Sequence, residues 1–551
     1  MMDIEITHKD ASARAGFLLT EAGKFRIPNI LHVNGEYLYL GDEKSQIKFK
    51  FPDRVFTNPD GYFPVPPSAG GEMPQWKIVD NWLVINNWEN LPQFSGMQFD
   101  ICIFPAGAAL FQYPEKFVMA IVSIRKAIGA GKPLYVPGIA LPSRIAILAA
   151  LTIDLLDDAL ARLLGYRNML TIPEGVFSAE CAMEQNTSAL REELALVDKL
   201  ISTGYLRELI EMRIRAEPEL VAMLRYMDFN HYEFMEFLWP VFSNPFLANS
   251  KESLWRIDIQ RYRARLKSYK KPGASVLLLL PCSAKKPYHK SRSHMLVENA
   301  LRTTGVRSSV HIVSLTSPIG VVPEELENFY PANAYDIPVT GHWDWEEKKV
   351  VLDGLEGIIS QGYKHVLAHL PDDYKFVVEH YGLENTCTGD VTSEESLKLL
   401  AERVRDFGEE ASYSARLASD FMNMLAFQFG EEARAFNLEK AKGNRWDGVM
   451  LTEGKPGFEV NENRGKVMIK YAGAKFLVGH SIKCVEIQKF PLHGDVFVPG
   501  IVSATPDIRA GDEVVILQES IPVATGTAKL SGAEMLSLKK GLAIKVREML
   551  V

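Results

Sequence analysis

The sequence predicts a multidomain α/β protein, and three observations support this class. The chain has 551 residues, of which 47% are hydrophobic, and this is more than a single hydrophobic core organises. Apolar runs typical of strands alternate with helical periodicity over much of the chain, as in parallel sheets covered by helices. After His480 the pattern changes to short strands separated by turns, which predicts a small β-barrel. We therefore expect three or four domains.

Residues 1–270 have the alternation of strands and helices expected of a (β/α) barrel. Residues 99–104 can form a buried strand, and Pro114 then stands where a proline often opens a helix. That helix stops before a further strand, which begins at residues 134–136. A TIM-like barrel is the economical assignment for this cadence. A strongly helical stretch at residues 187–244 is predicted to close the barrel.

A three-layer α/β core domain is predicted for residues 271–390. Its first strand is the apolar run 277–280, which ends at Pro281 and Cys282 and is followed at once by basic and hydroxyl side chains. The carboxyl end of a buried strand is where open α/β sheets place their ligand crevice. Cys282 alone would be interpreted as a small buried side chain. Its basic neighbours make it the centre of a candidate site.

Two further domains are predicted after residue 390. Residues 391–479 are predicted to form a linking domain. The segment that starts at Thr392 has the pattern of a helix capping box, and a hairpin is predicted around Asn463. In residues 480–551, short strands alternate with glycine-containing turns, because a turn often needs the backbone freedom of glycine. This is the pattern of the small β-barrel.

The charge of the chain is unevenly distributed. A net charge of −8 argues against a nucleic-acid partner, yet residues 251–294 carry twelve Lys or Arg against two acids. Cations are interleaved there with aromatic residues, and this combination binds phosphates and stacked bases. A solvated helix face is the alternative interpretation. The predicted RNA-binding residues are Arg261, Arg263, Arg265 and Lys267.

The stretch after the predicted strand also resembles a known family. It reads Pro-Cys-x3-Lys-Pro-Tyr-x2-Ser-x2-His, which is similar to the signature of the archaeosine synthase family, a paralogue of archaeal tRNA-guanine transglycosylase. The specified positions are filled by Pro281, Cys282, Lys286, Pro287, Tyr288, Ser291 and His294. The resemblance runs along the chain. It implies that residues 1–270 are a transglycosylase-like barrel and residues 480–551 a PUA domain, which RNA-modifying enzymes use to hold the tRNA acceptor end.

The barrel is similar to a transglycosylase in only part of its site. The segment that contains Asp154 resembles the one in which that family keeps its nucleophilic aspartate. The Asp-Ser-Gly-Gly-Phe-Gln-like segment that holds the target base has no counterpart, and Cys181 stands alone instead of in a zinc cluster. Base exchange needs a nucleophile, a second carboxylate and a shaped base pocket together. We therefore expect a degenerate barrel, kept for holding RNA or for architecture.

The resemblance implies an enzyme that acts on 7-cyano-7-deazaguanine at position 15 of the tRNA D-loop. Its nitrile carbon is an electrophile to which a thiolate can add, and an amine can then displace the sulfur from the thioimidate. Cys282 is the predicted nucleophile, since its basic neighbours favour the thiolate. The nitrile nitrogen needs a proton, and His294, Lys286 or Tyr288 could deliver it. Ser291 completes the predicted catalytic set.

The amine donor implied by the resemblance is free lysine, or glutamine as a source of ammonia. The predicted substrate-binding residues are Lys285, Glu327, Asp336, Asp344 and Asp154, and the acids at 327, 336 and 344 would bind an ammonium group. If lysine is attached whole, a radical SAM partner enzyme would complete archaeosine. The sequence has no phosphate-cradling glycine loop, no dinucleotide fingerprint and no CxxC pair, so we expect neither a nucleotide cofactor nor a metal.

These patterns favour an amine-transferring tRNA modification enzyme whose partner is tRNA. A base-exchanging transglycosylase and a non-catalytic tRNA-binding subunit are the alternatives, and a homodimer is left open. No run of eighteen apolar residues occurs, and the first ten residues have no signal pattern. We therefore expect a cytoplasmic protein that does not enter the membrane.

Overall fold

The computed structural model describes residues 2–34, 37–41, 46–50, 74–180 and 182–550. These residues form two compact units. The first contains Met1–Asn244, Val485–Asp512 and Thr527–Val546, and the second contains Pro245–Cys484, Glu513–Gly526 and Arg547–Val551. None of the helices in the described ranges is long and apolar enough to cross a membrane.

The main sheet of the first unit has eight strands, and its central five are parallel. In spatial order the strands are Gln46–Lys50, Tyr37–Gly41, Asn29–Asn34, Leu155–Asp157, Leu134–Tyr135, Ile101–Ile103, Trp82–Ile85 and Trp76–Val79. Antiparallel strands flank the parallel core at both edges. The α/β class is therefore confirmed. A closed TIM-like barrel is not confirmed, because the sheet has a linear strand order over the described residues.

Helices supply most of the rest of the first unit. They are Gly107–Leu110, Pro114–Ile128, Pro142–Ala150, Ala159–Tyr166, Met183–Thr203, Leu206–Arg213, Pro218–Phe229 and Tyr232–Leu238. The remaining strands before residue 245 are Asp3–Asp10, Ala13–Thr20, Gly23–Ile27, Met169–Ile172 and Gly175–Ser178. The predicted strand at 99–104, the helix opened by Pro114 and the helical stretch 187–244 are all confirmed.

The second unit is built on a five-stranded sheet whose central strand is Val276–Pro281. The spatial order is Gly320–Pro323, Val310–Thr316, Val276–Pro281, His365–Ala368 and Glu384–Asn385. The strand Gly320–Pro323 is antiparallel to its neighbour, and the other four are parallel. The predicted buried strand that leads to Cys282 is thus confirmed.

Side chains of the central strand point alternately to two hydrophobic clusters. Leu277 and Leu279 pack on the side of the helix Trp345–Ile359. Leu278 and Leu280 pack on the other side, against the helices Arg292–Arg302 and Glu394–Phe407. Full burial of one leucine side chain contributes about 1.5–3 kcal/mol. The two leucine pairs therefore fix the strand firmly between two helical layers.

The remaining elements of the second unit surround this sheet. The helices are Ile257–Leu266, Lys375–Tyr381, Tyr413–Phe429 and Tyr471–Gly479. The strands are Phe246–Leu247, Tyr335–Asp336, Lys440–Gly443, Gly448–Thr452, Lys455–Asn461 and Lys466–Ile469. The hairpin predicted around Asn463 is confirmed, since the last two strands pair antiparallel. Ser393, next to Thr392, caps the helix Glu394–Phe407 by accepting a hydrogen bond from the Ser396 amide.

The C-terminal segment consists of short strands, as predicted, and one helix that the sequence pattern did not predict. The strands are Cys484–Ile487, Val496–Phe497, Ile501–Ala504, Glu513–Gln518, Ile521–Ala528 and Leu542–Met549, and the helix is Gly532–Ser537. Gly511 and Gly541 have φ angles of 92° and 118°, a region that side-chain-bearing residues rarely adopt. Glycine is therefore required at these two turns.

Candidate active site

Cys282 lies directly after the central strand of the second unit, at the carboxyl edge of its sheet. Its backbone N–H donates to the Leu315 carbonyl over 3.0 Å, which extends the pairing with the neighbouring strand by one residue. The half-buried side chain places Sγ 3.8 Å from the Tyr374 hydroxyl oxygen. The thiol is thus held on rigid backbone and is still accessible, as a nucleophile requires.

Lys286 is the basic residue of the signature that lies close to Cys282. Its Nζ is 3.9 Å from the centre of the Tyr335 ring, a cation–π contact. Burial lowers the pKa of Lys286, and the nearby Cys282 and Asp336 only partly offset this effect. Lys285, in contrast, is exposed to solvent. The two adjacent lysines therefore have different environments.

Tyr288 belongs to a chain of buried hydroxyl groups. Its hydroxyl oxygen is 2.6 Å from that of Tyr335, which is also hydrogen-bonded to the Thr316 hydroxyl. Burial raises the pKa of both tyrosines, and the nearby Cys282 adds to this effect. Both phenols therefore remain protonated at neutral pH. Tyr335 and Thr316 were not predicted as site residues, because they lie far from the signature in sequence.

His294 and Ser291 act on the backbone around Cys282. The His294 Nε2 atom is 3.0 Å from the Pro281 carbonyl oxygen, and because a carbonyl only accepts, Nε2 carries the hydrogen. The His294 backbone N–H donates to the Ser291 hydroxyl, which caps the helix Arg292–Arg302. Burial lowers the pKa of His294 even though the Glu327 carboxylate opposes this shift. A neutral His294 thus anchors the end of the central strand.

Glu327 is buried in a charged cluster that the sequence did not reveal. It accepts hydrogen bonds from His289 Nδ1 at 2.6 Å and from Trp446 Nε1 at 3.1 Å. The other ring nitrogen of His289 is 2.8 Å from Glu462, and its ring stacks on Trp446 with centroids 4.2 Å apart. Burial alone would lower the pKa of His289, but the two carboxylates outweigh it and raise the pKa. Only spatial proximity brings these four residues together.

A cavity of about 330 Å³ adjoins this cluster. Its walls include His294, Glu327, Glu298, Arg302 and Arg307. Arg302 and Arg307 both bind Glu298, at 2.9 and 2.7 Å. Charges of both signs therefore line a space of the size that small ligands occupy, and His294 connects this space to the strand that ends before Cys282.

Asp336 and Asp344 have different roles in the structure. Asp336 is exposed and lies close enough to Lys286 to offset part of the lowering of the Lys286 pKa by burial. Asp344 is the N-cap of the helix Trp345–Ile359 and exchanges two hydrogen bonds with Glu347, of 2.8 and 2.9 Å. The prediction that Asp344 binds the donor's ammonium group does not fit this placement, because its carboxylate is used as a helix cap.

Asp154 lies in the first unit and is bound by two arginines. Arg14 donates to it over 2.8 and 2.9 Å, Arg125 donates over 2.8 Å, and the Leu134 amide donates over 2.9 Å. Burial would raise the pKa of Asp154, but the two guanidinium groups outweigh it and lower the pKa. The prediction that Asp154 binds substrate does not fit a carboxylate that is buried and fully paired. Cys181 lies outside the described residues.

The predicted RNA-binding run does not form one solvent-facing surface. Arg261 is buried, and Arg263 donates to the carbonyls of Ile319 and Pro318, while burial lowers the pKa of Arg263 to about 9. Arg265 is partly buried beside an aromatic ring, and Lys267 is exposed. The reason is helical geometry, since successive residues of Ile257–Leu266 point in different directions. The surface placement expected for this run therefore does not hold for Arg261 and Arg263, and their contact with RNA stays a prediction.

Two family models match the chain. A domain of unknown function, DUF5591, matches residues 259–404 and thus includes Cys282 and its surroundings. A PUA domain matches residues 486–550, which confirms the expectation for the C-terminal strands. The protein is therefore an α/β protein with a cysteine-centred core domain and a C-terminal PUA domain.

Relatives along most of the chain identify the family. "Archaeosine synthase subunit alpha" of Thermoplasma acidophilum is 33% identical over 81% of this chain and 88% of that protein. The protein of the same name from Methanosarcina acetivorans is 33% identical over 81% of this chain and 79% of its own length. A tRNA-guanine(15) transglycosylase of Methanosphaera stadtmanae is 24% identical over 82% of this chain and 72% of its own length. The chain belongs to the archaeosine synthase family and is an enzyme.

Proposed function

We propose that the enzyme adds an amine to the nitrile of 7-cyano-7-deazaguanine at position 15 of the tRNA D-loop, with Cys282 as the nucleophile. The observation that carries this proposal is an accessible thiol at the carboxyl end of the central strand, close to Lys286 and to buried tyrosines. Membership of the archaeosine synthase family supports the tRNA substrate and the pathway.

The reaction proceeds in two covalent steps. In the first, the Cys282 sulfur forms a bond to the nitrile carbon, one C–N π bond breaks, and the nitrogen gains the proton that the thiol loses. In the second, the amine nitrogen attacks the thioimidate carbon, the C–S bond breaks, and a proton from the amine returns to sulfur. The products are an amidine on the base and a free thiol.

The three proton donors proposed from the sequence differ in availability. His294 Nε2–H is committed to the Pro281 carbonyl, and the Tyr288 hydroxyl is bonded to Tyr335. Lys286 is the remaining residue of the three, and its ammonium group is near Cys282. We assign to Lys286 the stabilisation of negative charge that develops on the nitrile nitrogen during attack.

The amine donor is free lysine, or glutamine as a source of ammonia, and we place its site in the cavity beside His294. A free amino acid needs a cation for its carboxylate and an acid for its ammonium group. The cavity wall offers Arg302 and Arg307 for the first and Glu298 and Glu327 for the second. Arg302 and Arg307 already form ion pairs with Glu298 in the cavity wall. The donor must therefore share or displace these contacts.

RNA binding is assigned to the C-terminal PUA domain, with exposed Lys267 as a further contact. If a whole lysine is attached to the base, a separate radical SAM enzyme must cleave this lysine adduct to complete archaeosine.

The similarity to a transglycosylase favours base exchange as a second candidate function. Against it stands Asp154, which would have to leave Arg14 and Arg125 in order to act as a nucleophile.

One incubation separates these functions. The protein is mixed with nitrile-bearing tRNA and labelled lysine or glutamine, and the tRNA is then digested to nucleosides. A mass gain on the modified base supports amine transfer, and the labelled donor identifies the amine. Release of the base instead supports exchange, and tRNA binding without either change supports a non-catalytic subunit.

A further inference from the structure

Tyr374 is the residue whose side chain is hydrogen-bonded to the Cys282 sulfur, and it lies outside the signature. It ends a short 3-10 turn, Asp372–Tyr374, just after the strand His365–Ala368. Its buried ring packs edge-on against Trp343, with centroids 5.1 Å apart. The hydroxyl oxygen lies 3.8 Å from Cys282 Sγ and 3.3 Å from the Leu315 carbonyl oxygen. The ring is thus fixed, and its hydroxyl faces the thiol.

The directions of these hydrogen bonds follow from the chemistry of the partners. A carbonyl oxygen only accepts, so the Tyr374 hydroxyl donates to Leu315 and keeps its lone pairs for the thiol proton. The same carbonyl also accepts the Cys282 amide over 3.0 Å. Because the hydroxyl makes the longer of the two bonds, it can turn to another acceptor while the carbonyl keeps a partner.

We propose that Tyr374 is a catalytic residue that relays one proton between the Cys282 sulfur and the nitrile nitrogen. This inference rests on the proposed function. As the S–C bond forms, the thiol proton moves to the Tyr374 oxygen and the hydroxyl proton moves to nitrogen. In the second step the hydroxyl passes a proton from the attacking amine back to the departing sulfur. The tyrosine ends each step unchanged, so the relay needs no further reactant.

The surroundings of Tyr374 suit a neutral relay. Burial raises its pKa, and the neighbouring Cys282 and Tyr335 raise it further, so the hydroxyl keeps its proton at neutral pH. The other ionisable groups that interact with Cys282 are Tyr288, Tyr335 and Lys286. Tyr288 is bonded to Tyr335, and Lys286 is an ammonium that can donate but cannot accept the thiol proton. Among the described residues that interact with Cys282, Tyr374 is the one whose hydroxyl lies within hydrogen-bond distance of the sulfur, and a hydroxyl can both accept and donate.

The variant Tyr374→Phe tests the relay, because it removes the hydroxyl and keeps the ring against Trp343. The rate at which full-length protein forms a covalent adduct with nitrile-bearing tRNA, followed by intact mass, should fall by about 10²-fold or more, the range of acid–base contributions. The matched control is Tyr381→Phe, which removes a hydroxyl that donates to the Leu352 carbonyl over 3.0 Å. Its adduct rate should equal that of the wild type.

The pH profile separates a relay from a structural role. Without the hydroxyl only a thiolate can attack, and raising the pH increases the share of thiolate at the expense of thiol. The Tyr374→Phe rate should therefore rise more steeply with pH than the wild-type rate. A proton inventory in mixed H2O and D2O on the wild type needs no variant, and two protons in motion should give a curved plot.

The outcomes are distinct. If the wild type forms an adduct and Tyr374→Phe matches its rate, or is slower with the same pH slope, the relay is overturned and Cys282 remains the nucleophile. A linear proton inventory overturns it as well. If the wild type forms no adduct while it modifies the base, the covalent route of the proposed function itself fails.

Discussion

The imidazole of His294 donates a hydrogen bond of 3.0 Å to the carbonyl of Pro281, the residue directly before Cys282. The backbone that carries the nucleophile is therefore held from one side by a signature residue and from the other by the Leu315 carbonyl. His294 is a positioning residue, because its Nε2–H is used on the backbone and does not reach the reacting atoms.

The variant His294→Ala should lower the rate of amine transfer by about tenfold, which corresponds to about 1.4 kcal/mol in the barrier. The partly buried Pro281 carbonyl loses its partner, which costs at most about 1–3 kcal/mol of stability, the range for a fully buried acceptor. His294→Asn, which can still donate, should recover part of both losses. We would measure transfer kinetics and thermal unfolding, with His380→Ala, which removes an exposed imidazole, as the control. Equal rates in His294→Ala and the control would contradict the positioning role.

The variant Cys282→Ser should abolish the covalent adduct with nitrile-bearing tRNA and lower transfer by about 10⁴-fold or more, as loss of a nucleophile does. A serine hydroxyl is scarcely ionised near neutral pH, so it is a poor nucleophile. Because serine is similar in size to cysteine, tRNA affinity should be unchanged. Intact-mass analysis and a binding assay would measure the two effects. Cys387→Ser is the control, since Cys387 Sγ contacts the carbonyl of Gly389. Near-normal turnover of Cys282→Ser would show that the amine attacks the nitrile directly.

The parts of this site that are local in the chain could be predicted from the sequence. The apolar run before Pro281 predicted a buried strand, and its end placed Cys282 at the sheet edge, because a strand and the residue after it are neighbours in both sequence and space. Tyr335, Tyr374 and Trp446 were not predicted, since only the folded sheet brings them to the signature. Their aromatic rings carry no signal that separates them from core residues.

The differences between these expectations and the structure have a physical cause as well. A count of charges along residues 251–294 ignores the direction of each side chain, so Arg261 and Arg263 were predicted at a surface although the helix turns them inwards. Asp344 precedes a helix start, and its spacing to Glu347 is the spacing of a capping box, so this signal was available in the sequence. The closed barrel followed from the alternation of strands and helices, which also fits an open sheet.

The pair of carboxylates around His289 predicts a pH-dependent stability. Because the folded protein raises the pKa of His289 above its ordinary value of 6.5, its charge stabilises the fold fully below that value. This contribution is lost as pH rises through the raised pKa. The unfolding temperature of the wild type should therefore fall more steeply with rising pH above 6.5 than that of His289→Gln, which has no such titration. His342→Gln, at an exposed position, should behave as the wild type. Parallel curves for the wild type and His289→Gln would contradict the charged cluster.

The ion pairs of Asp154 predict a structural role for the residue that resembles a transglycosylase nucleophile. Asp154→Asn leaves Arg14 and Arg125 buried without their carboxylate, and breaking a buried pair from one side costs about 3–5 kcal/mol. Glu5→Gln removes a surface pair with Lys24 and should cost less than about 1 kcal/mol, which makes it the matched control. Denaturant unfolding would measure both.

Amine transfer per folded molecule should stay near the wild-type value in Asp154→Asn, since Asp154 lies in the first unit and the proposed nucleophile is Cys282 of the second. The unfolding data give the folded fraction at the temperature of the assay, and dividing the transfer rate by this fraction separates lost stability from lost chemistry. A transfer rate that falls far more than the folded fraction, together with an unfolding curve like that of Glu5→Gln, would show that Asp154 takes part in the reaction. The first unit would then have retained a catalytic carboxylate.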